Sequence, residues 1–69
     1  MNIVGSNVRK IREDNGWTQD QLAAKCNLLE WNISRGTLAK IEAKVRRVTD
    51  IEVKLLTLAL NTEYKNLFE

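Results

Sequence analysis

Three helix starts lie within residues 18–52, and no proline interrupts anything that follows them. Thr18 and Gln21 have the spacing of a capping box, in which the hydroxyl takes an N–H three residues on and the amide reaches back. Thr49 and Glu52 repeat it. Ser34 is a good N-cap, with Ile33 before it and Leu38 four residues after it at the spacing of a hydrophobic staple. Trp17 and Leu22 flank Thr18 in the same way, and Val48 and Val53 flank Thr49. With no proline and three glycines, such a chain favours short helices over a turn-rich β fold.

Apolar spacing and stop signals set the expected elements. A first helix runs from about Gly5 or Ser6 to Asn15, with Val8 and Ile11 inward and Gly16 as the left-handed residue after it. Ile3 or Val4 tucks onto the core. The second helix follows Thr18 and runs to about Leu29, burying Leu22, Ala23 and Cys26 and pointing Gln19 outward. Trp31 folds back, because Leu28, Leu29 and Trp31 are too apolar for a free loop. A third helix spans about Arg35 to Lys44 and a fourth Asp50 to Leu60. Asn61-Thr62 breaks the chain before a last short helix, Glu63 to Phe68, with Tyr64, Leu67 and Phe68 as its apolar residues. The fold class is all-α, with five short helices.

The third helix is unusual on its outer side. At ~100° per residue, Leu38, Ile41 and Val45 form one apolar stripe. Arg35, Gly36, Ala39, Lys40 and Ala43 lie opposite. A solvated face normally carries long charged residues throughout; here two cations sit among residues with almost no side chain. Small residues permit close approach, and cations suit an anionic surface. The DNA major groove, about 12 Å wide, offers both. Residues 35–47 hold Arg35, Lys40, Lys44, Arg46 and Arg47 against Glu42 alone, a local charge of +4 in a chain whose net charge is +2.

Length and composition exclude much else. Sixty-nine residues make one domain, 1–69. Cys26 is alone, so no internal disulfide forms, and it reads as a small core residue. With no histidine, no metal-ligand set and no cofactor are expected. No apolar run approaches the ~18 residues of a membrane span, and no leader pattern opens the chain. A cytoplasmic protein is expected. No glycine-rich phosphate loop or paired carboxylates in a plausible cleft support an enzyme.

Residues 8–68 resemble the Cro/C1-type helix-turn-helix domain, or XRE family. The resemblance is carried by VRKIRE, NGWTQDQLA and ISRGTLAKIE. It implies a compact lambda-repressor-like fold that binds double-stranded DNA as a transcriptional regulator, repressor-like in kind. Gln19 matches a family position on the DNA backbone. Ser34, Arg35, Gly36, Thr37 and Lys40 match the first turns of the recognition helix, which reads base edges and touches phosphates. Arg12 and Glu42 match a partly buried ion pair between the first and third helices. By their chemistry, Arg35 and Lys40 suit guanine O6 and N7, Ala39 suits a thymine methyl, and Lys44, Arg46 and Arg47 suit phosphates. Two departures stand out. About five extra residues lie between Cys26 and Ile33, and Lys44 replaces the glycine usually found two residues after the glutamate.

The fourth helix has two opposed apolar stripes. Val53, Leu56 and Leu60 form one, on the family's core side; Ile51, Leu55 and Leu58 form the other. The second stripe needs either the C-terminal helix or the same stripe of a second copy to cover it, and a homodimer through the fourth helix and the C-terminus is the expectation. The apolar excess of this helix also fits a different function, a protein-interaction module of the same fold such as an antitoxin or a bridging factor.

Overall fold

The computed structural model describes residues 3–68. It contains helices α1 (Gly5–Asp14), α2 (Gln19–Leu28), α3 (Arg35–Glu42) and α4 (Asp50–Leu60), followed by a 3-10 turn, Tyr64–Leu67. The starts follow their caps. Gln21 N–H donates to Thr18 Oγ1 at 3.1 Å, and Thr18 N–H donates to Gln21 Oε1 at 2.7 Å. Thr49 and Glu52 make the same reciprocal pair at 3.2 and 3.0 Å. Thr37 N–H donates to Ser34 Oγ at 3.1 Å.

All four α-helices end in the same hydrogen-bonded turn, a Schellman motif. In α1, Trp17 N–H reaches Arg12 O and Gly16 N–H reaches Glu13 O. The equivalent bonds close α2 at Glu30 and Trp31, α3 at Lys44 and Val45, and α4 at Asn61 and Thr62. The turn requires a left-handed residue, and these are Gly16 (φ 74°), Glu30 (64°), Lys44 (64°) and Asn61 (53°). Helix α3 therefore stops at Glu42 and does not reach Lys44. Val45, expected on the buried stripe with Leu38 and Ile41, has left the helical register and is 74% exposed. Leu28 likewise stands 84% exposed at the end of α2, whereas Leu29 and Trp31 pack against the core as expected. The extra segment between α2 and α3 is tied down by Asn27, whose amide donates to Ala23 O and Ile33 O.

Each element sends at least one fully buried side chain inward: Val8, Leu22, Cys26, Leu38, Ile41, Leu56, Leu60 and Leu67. Val4, rather than Ile3, closes the N-terminal side. Burial pushes the Cys26 thiol up to about 11, so it stays protonated at neutral pH. The fifth helix of the sequence reading is a single 3-10 turn. It anchors through Leu67, whose carbonyl accepts from Asn7 Nδ2 at 2.9 Å. Tyr64 and Phe68 remain exposed, their rings 5.0 Å apart. Helix α4 divides as its two stripes imply. Val53, Leu56 and Leu60 are buried, Leu55 is half-buried, and Ile51 and Leu58 stay exposed.

Candidate nucleic-acid interface

The outer face of α3 carries Arg35, Gly36, Lys40 and Ala43 in solvent, with Thr37 and Ala39 half-buried. Ser34 and Thr37 shape its first turn. The Ser34 hydroxyl accepts from Thr37 N–H and donates to Thr37 Oγ1 at 3.1 Å, so its work is the cap. Gly36 sits in open space: a Cβ built there meets only Ser34 Oγ, at 3.8 Å, an ordinary contact. Nothing inside the fold requires glycine at this position. Glycine within a helix costs about 0.5–1 kcal/mol relative to alanine, so its smallness serves the outside.

Two shallow clefts adjoin this face. One, about 310 Å³, is lined by Arg9, Arg12, Gln19, Ala39, Glu42 and Ala43. The other, about 440 Å³, is lined by Arg12, Thr18, Gln19, Asp20 and Arg35. The packing of α1, α2 and α3 thus brings Gln19, Arg12 and Arg35 together. It also brings in Arg9, which the family resemblance does not mark. The available signal was its position three residues before Arg12, on the same helical face.

A buried network underlies both clefts. Arg12 Nε donates to Glu42 Oε2 at 2.7 Å and Arg12 Nη2 donates to Glu42 Oε1 at 3.0 Å. Arg12 Nη1 donates to the Trp17 carbonyl at 2.7 Å. Gln19 Nε2 adds a bond to Glu42 Oε1 at 3.1 Å. The hydrogen bonds to Glu42 raise the Arg12 guanidinium above its ordinary value, against the pull of burial.

The cations after α3 divide. Lys44 and Arg47 are exposed. Arg46, expected on phosphate, is instead clasped by Glu52, with Nη1 and Nη2 donating to its two oxygens at 3.0 and 2.8 Å. Glu52 is the third residue of the α4 capping box, so one carboxylate closes the helix start and holds the incoming strand of chain. This bonding raises the Arg46 guanidinium and holds the Glu52 carboxyl below the usual range. Arg46 Nη1 also donates to Arg47 O at 2.8 Å. Through these bonds Arg46, its side chain 33% exposed, joins the chain after α3 to the start of α4.

Among the described residues, no group of acidic, histidine or cysteine side chains forms a metal site, and no helix is long and apolar enough to cross a membrane. No curated protein and no solved structure matches the chain. A helix-turn-helix family model matches residues 8–65, from α1 to the 3-10 turn. The chain belongs to the Cro/C1-type, or XRE, family of DNA-binding helix-turn-helix domains.

Proposed function

We propose that this chain is a single-domain, repressor-like transcriptional regulator that binds double-stranded DNA with α3 in the major groove. The observation that carries the reading is Gly36. An exposed helix bears two cations around a glycine that no internal contact requires, which fits a helix built for close approach to an anionic surface. Arg35 and Lys40 meet guanine edges, and Gly36, Thr37 and Ala39 let the helix sit close, with Ala39 against a thymine methyl. Gln19, Lys44 and Arg47 hold phosphates; Arg9 joins them, and Ser34 acts through the cap. Two copies pair about a two-fold axis through Ile51, Leu55 and Leu58, and read half-sites ~34 Å apart. The protein performs no catalysis.

Binding to a random duplex pool at about 50 and 200 mM salt tests this. A steep loss of affinity with salt, and enrichment of particular sequences on selection, are expected. Salt-independent or undetectable binding overturns the reading. One observation favours a second function, as a protein-interaction module. The exposed Leu28 borders a groove of about 430 Å³ that Trp17, Lys25, Leu29 and Leu58 also line. Failure of DNA binding would leave that reading standing.

A further inference from the structure

The amide of Gln19 is the only uncharged side chain bonded to the Arg12–Glu42 pair among the described residues. Glu42 is deeply buried, its side chain 3% exposed, and its Oε1 accepts from both Arg12 Nη2 and Gln19 Nε2. An ionised carboxylate only accepts hydrogen bonds. It therefore selects the nitrogen of the Gln19 amide as its partner. A primary amide carries two N–H groups. One is taken by Glu42. Gln19 is only half-buried and lines both clefts beside α3, one of them with Arg35.

We propose that Glu42 is a positioning residue for DNA binding: it locks the Gln19 amide so that the second N–H is held ready for a backbone phosphate at the α2–α3 cleft. The inference rests on the DNA-binding reading above and adds a physical cause to the Gln19 contact. Glu42 touches no DNA itself. Its charge does two jobs in one bonded unit, holding α1 to α3 through Arg12 and setting the direction of a neutral donor on α2. A free glutamine would flip between donor and acceptor ends, and only one of these suits a phosphate. Locking removes that choice before binding, so less side-chain freedom is lost when the phosphate arrives.

The test follows the two Gln19 side-chain protons by NMR in the wild-type protein, before and after adding a short duplex at low salt. In the free protein one proton is protected from exchange and shifted by its bond to Glu42. Added duplex shifts the other proton and leaves the first in place. Gln19→Met removes both donors, and duplex affinity falls about tenfold while the slope of log affinity against log salt is unchanged, because a neutral donor releases no counterion. Glu42→Gln produces a similar loss of affinity, and Gln19→Met adds nothing to it, because the contact has already gone. If Glu42→Gln does not fold, the proton shifts and Gln19→Met still decide. Loss of the protected proton on adding duplex overturns the proposal. So does duplex binding that leaves both protons unmoved or a Gln19→Met affinity equal to wild type; either result leaves the DNA-binding reading intact. No binding of duplex by the wild-type protein overturns both.

Discussion

Arg12 and Glu42, thirty positions apart in the chain, lie fork to fork with hydrogen bonds of 2.7 and 3.0 Å. Their side chains are 10% and 3% exposed. Because Arg12 also reaches the Trp17 carbonyl, the pair ties α1, the α1–α2 turn and α3 together. The extra residues between α2 and α3 thus need not set the orientation of α3 alone. Glu42→Ala should cost about 3–5 kcal/mol, since it leaves a buried guanidinium without its partner. The double replacement Arg12→Met with Glu42→Leu should cost far less than the two single changes together. Urea unfolding of the four proteins measures this, and additive effects would refute the coupling.

The Arg46–Glu52 pair gives a pH-dependent contribution. Arg46, bonded to the Glu52 carboxylate, holds that group below its ordinary value, and the Thr49 backbone N–H adds to the effect. A depressed folded-state value stabilises fully above the unfolded value, about 4.3, and that stability is lost as pH falls through the folded value. Glu52→Gln keeps the capping box and should lower stability by about 1 kcal/mol at neutral pH. The difference from wild type should shrink in strong acid. Unfolding at neutral and strongly acidic pH reads both.

Lys44 occupies a left-handed backbone position at φ 64°, where a side chain is strained. Lys44→Gly should stabilise the protein by about 1 kcal/mol and lower the salt slope of DNA binding by about one unit. Glu30→Gly, at the equivalent turn after α2 and also at φ 64°, should stabilise without reducing that slope. Thermal unfolding and salt titration separate the two effects.

On α3, stability and binding should move in opposite directions. Gly36→Ala should stabilise by about 0.5–1 kcal/mol, because its Cβ has room. Gly36→Gln should leave folding intact yet weaken DNA binding more than about tenfold, by blocking approach. Arg35→Ala and Lys40→Ala should each cost ~1–3 kcal/mol at the preferred site and relax the sequence preference there. Unchanged preference in both would refute their role in base reading.

Ile51 is 73% exposed on the outer stripe of α4 and makes a gentler probe of pairing than the half-buried Leu55. Ile51→Glu should shift a micromolar sample toward monomer in sedimentation while leaving its unfolding within about 0.5 kcal/mol of wild type. A wild-type monomer that binds DNA without palindromic preference would end the dimer reading.

The starts of the helices were legible because they are local. Thr18, Ser34 and Thr49 bond to groups three residues away, and such spacing is visible in the chain itself. Two of the four stops were equally legible, at Gly16 and Asn61, residue types that accept a left-handed backbone. Glu30 and Lys44 carry no such signal. The same turn closes α2 and α3 there, so Val45, which spacing alone places on the stripe of Leu38 and Ile41, is exposed in the fold.

The candidate site divides along the same line. The small, cationic outer face of α3 follows from residue type and helical period alone, and the family resemblance named the Arg12–Glu42 pair. The partners of the remaining polar groups had to await the fold. A cation's charge is written in the sequence, but whether it faces solvent or a carboxylate depends on which elements meet. Arg46 found Glu52, with its side chain still 33% exposed. Arg9 reached the α3 face only because α1 packs beside it, and Gln19 was oriented by a glutamate from another helix. The sequence by itself determined where helices begin and which face of α3 is fit to approach an anionic surface, since both are short-range consequences of residue type. Tertiary structure alone decided which polar groups remain to act on that surface, since desolvation and hydrogen bonding between distant segments assign each donor its partner.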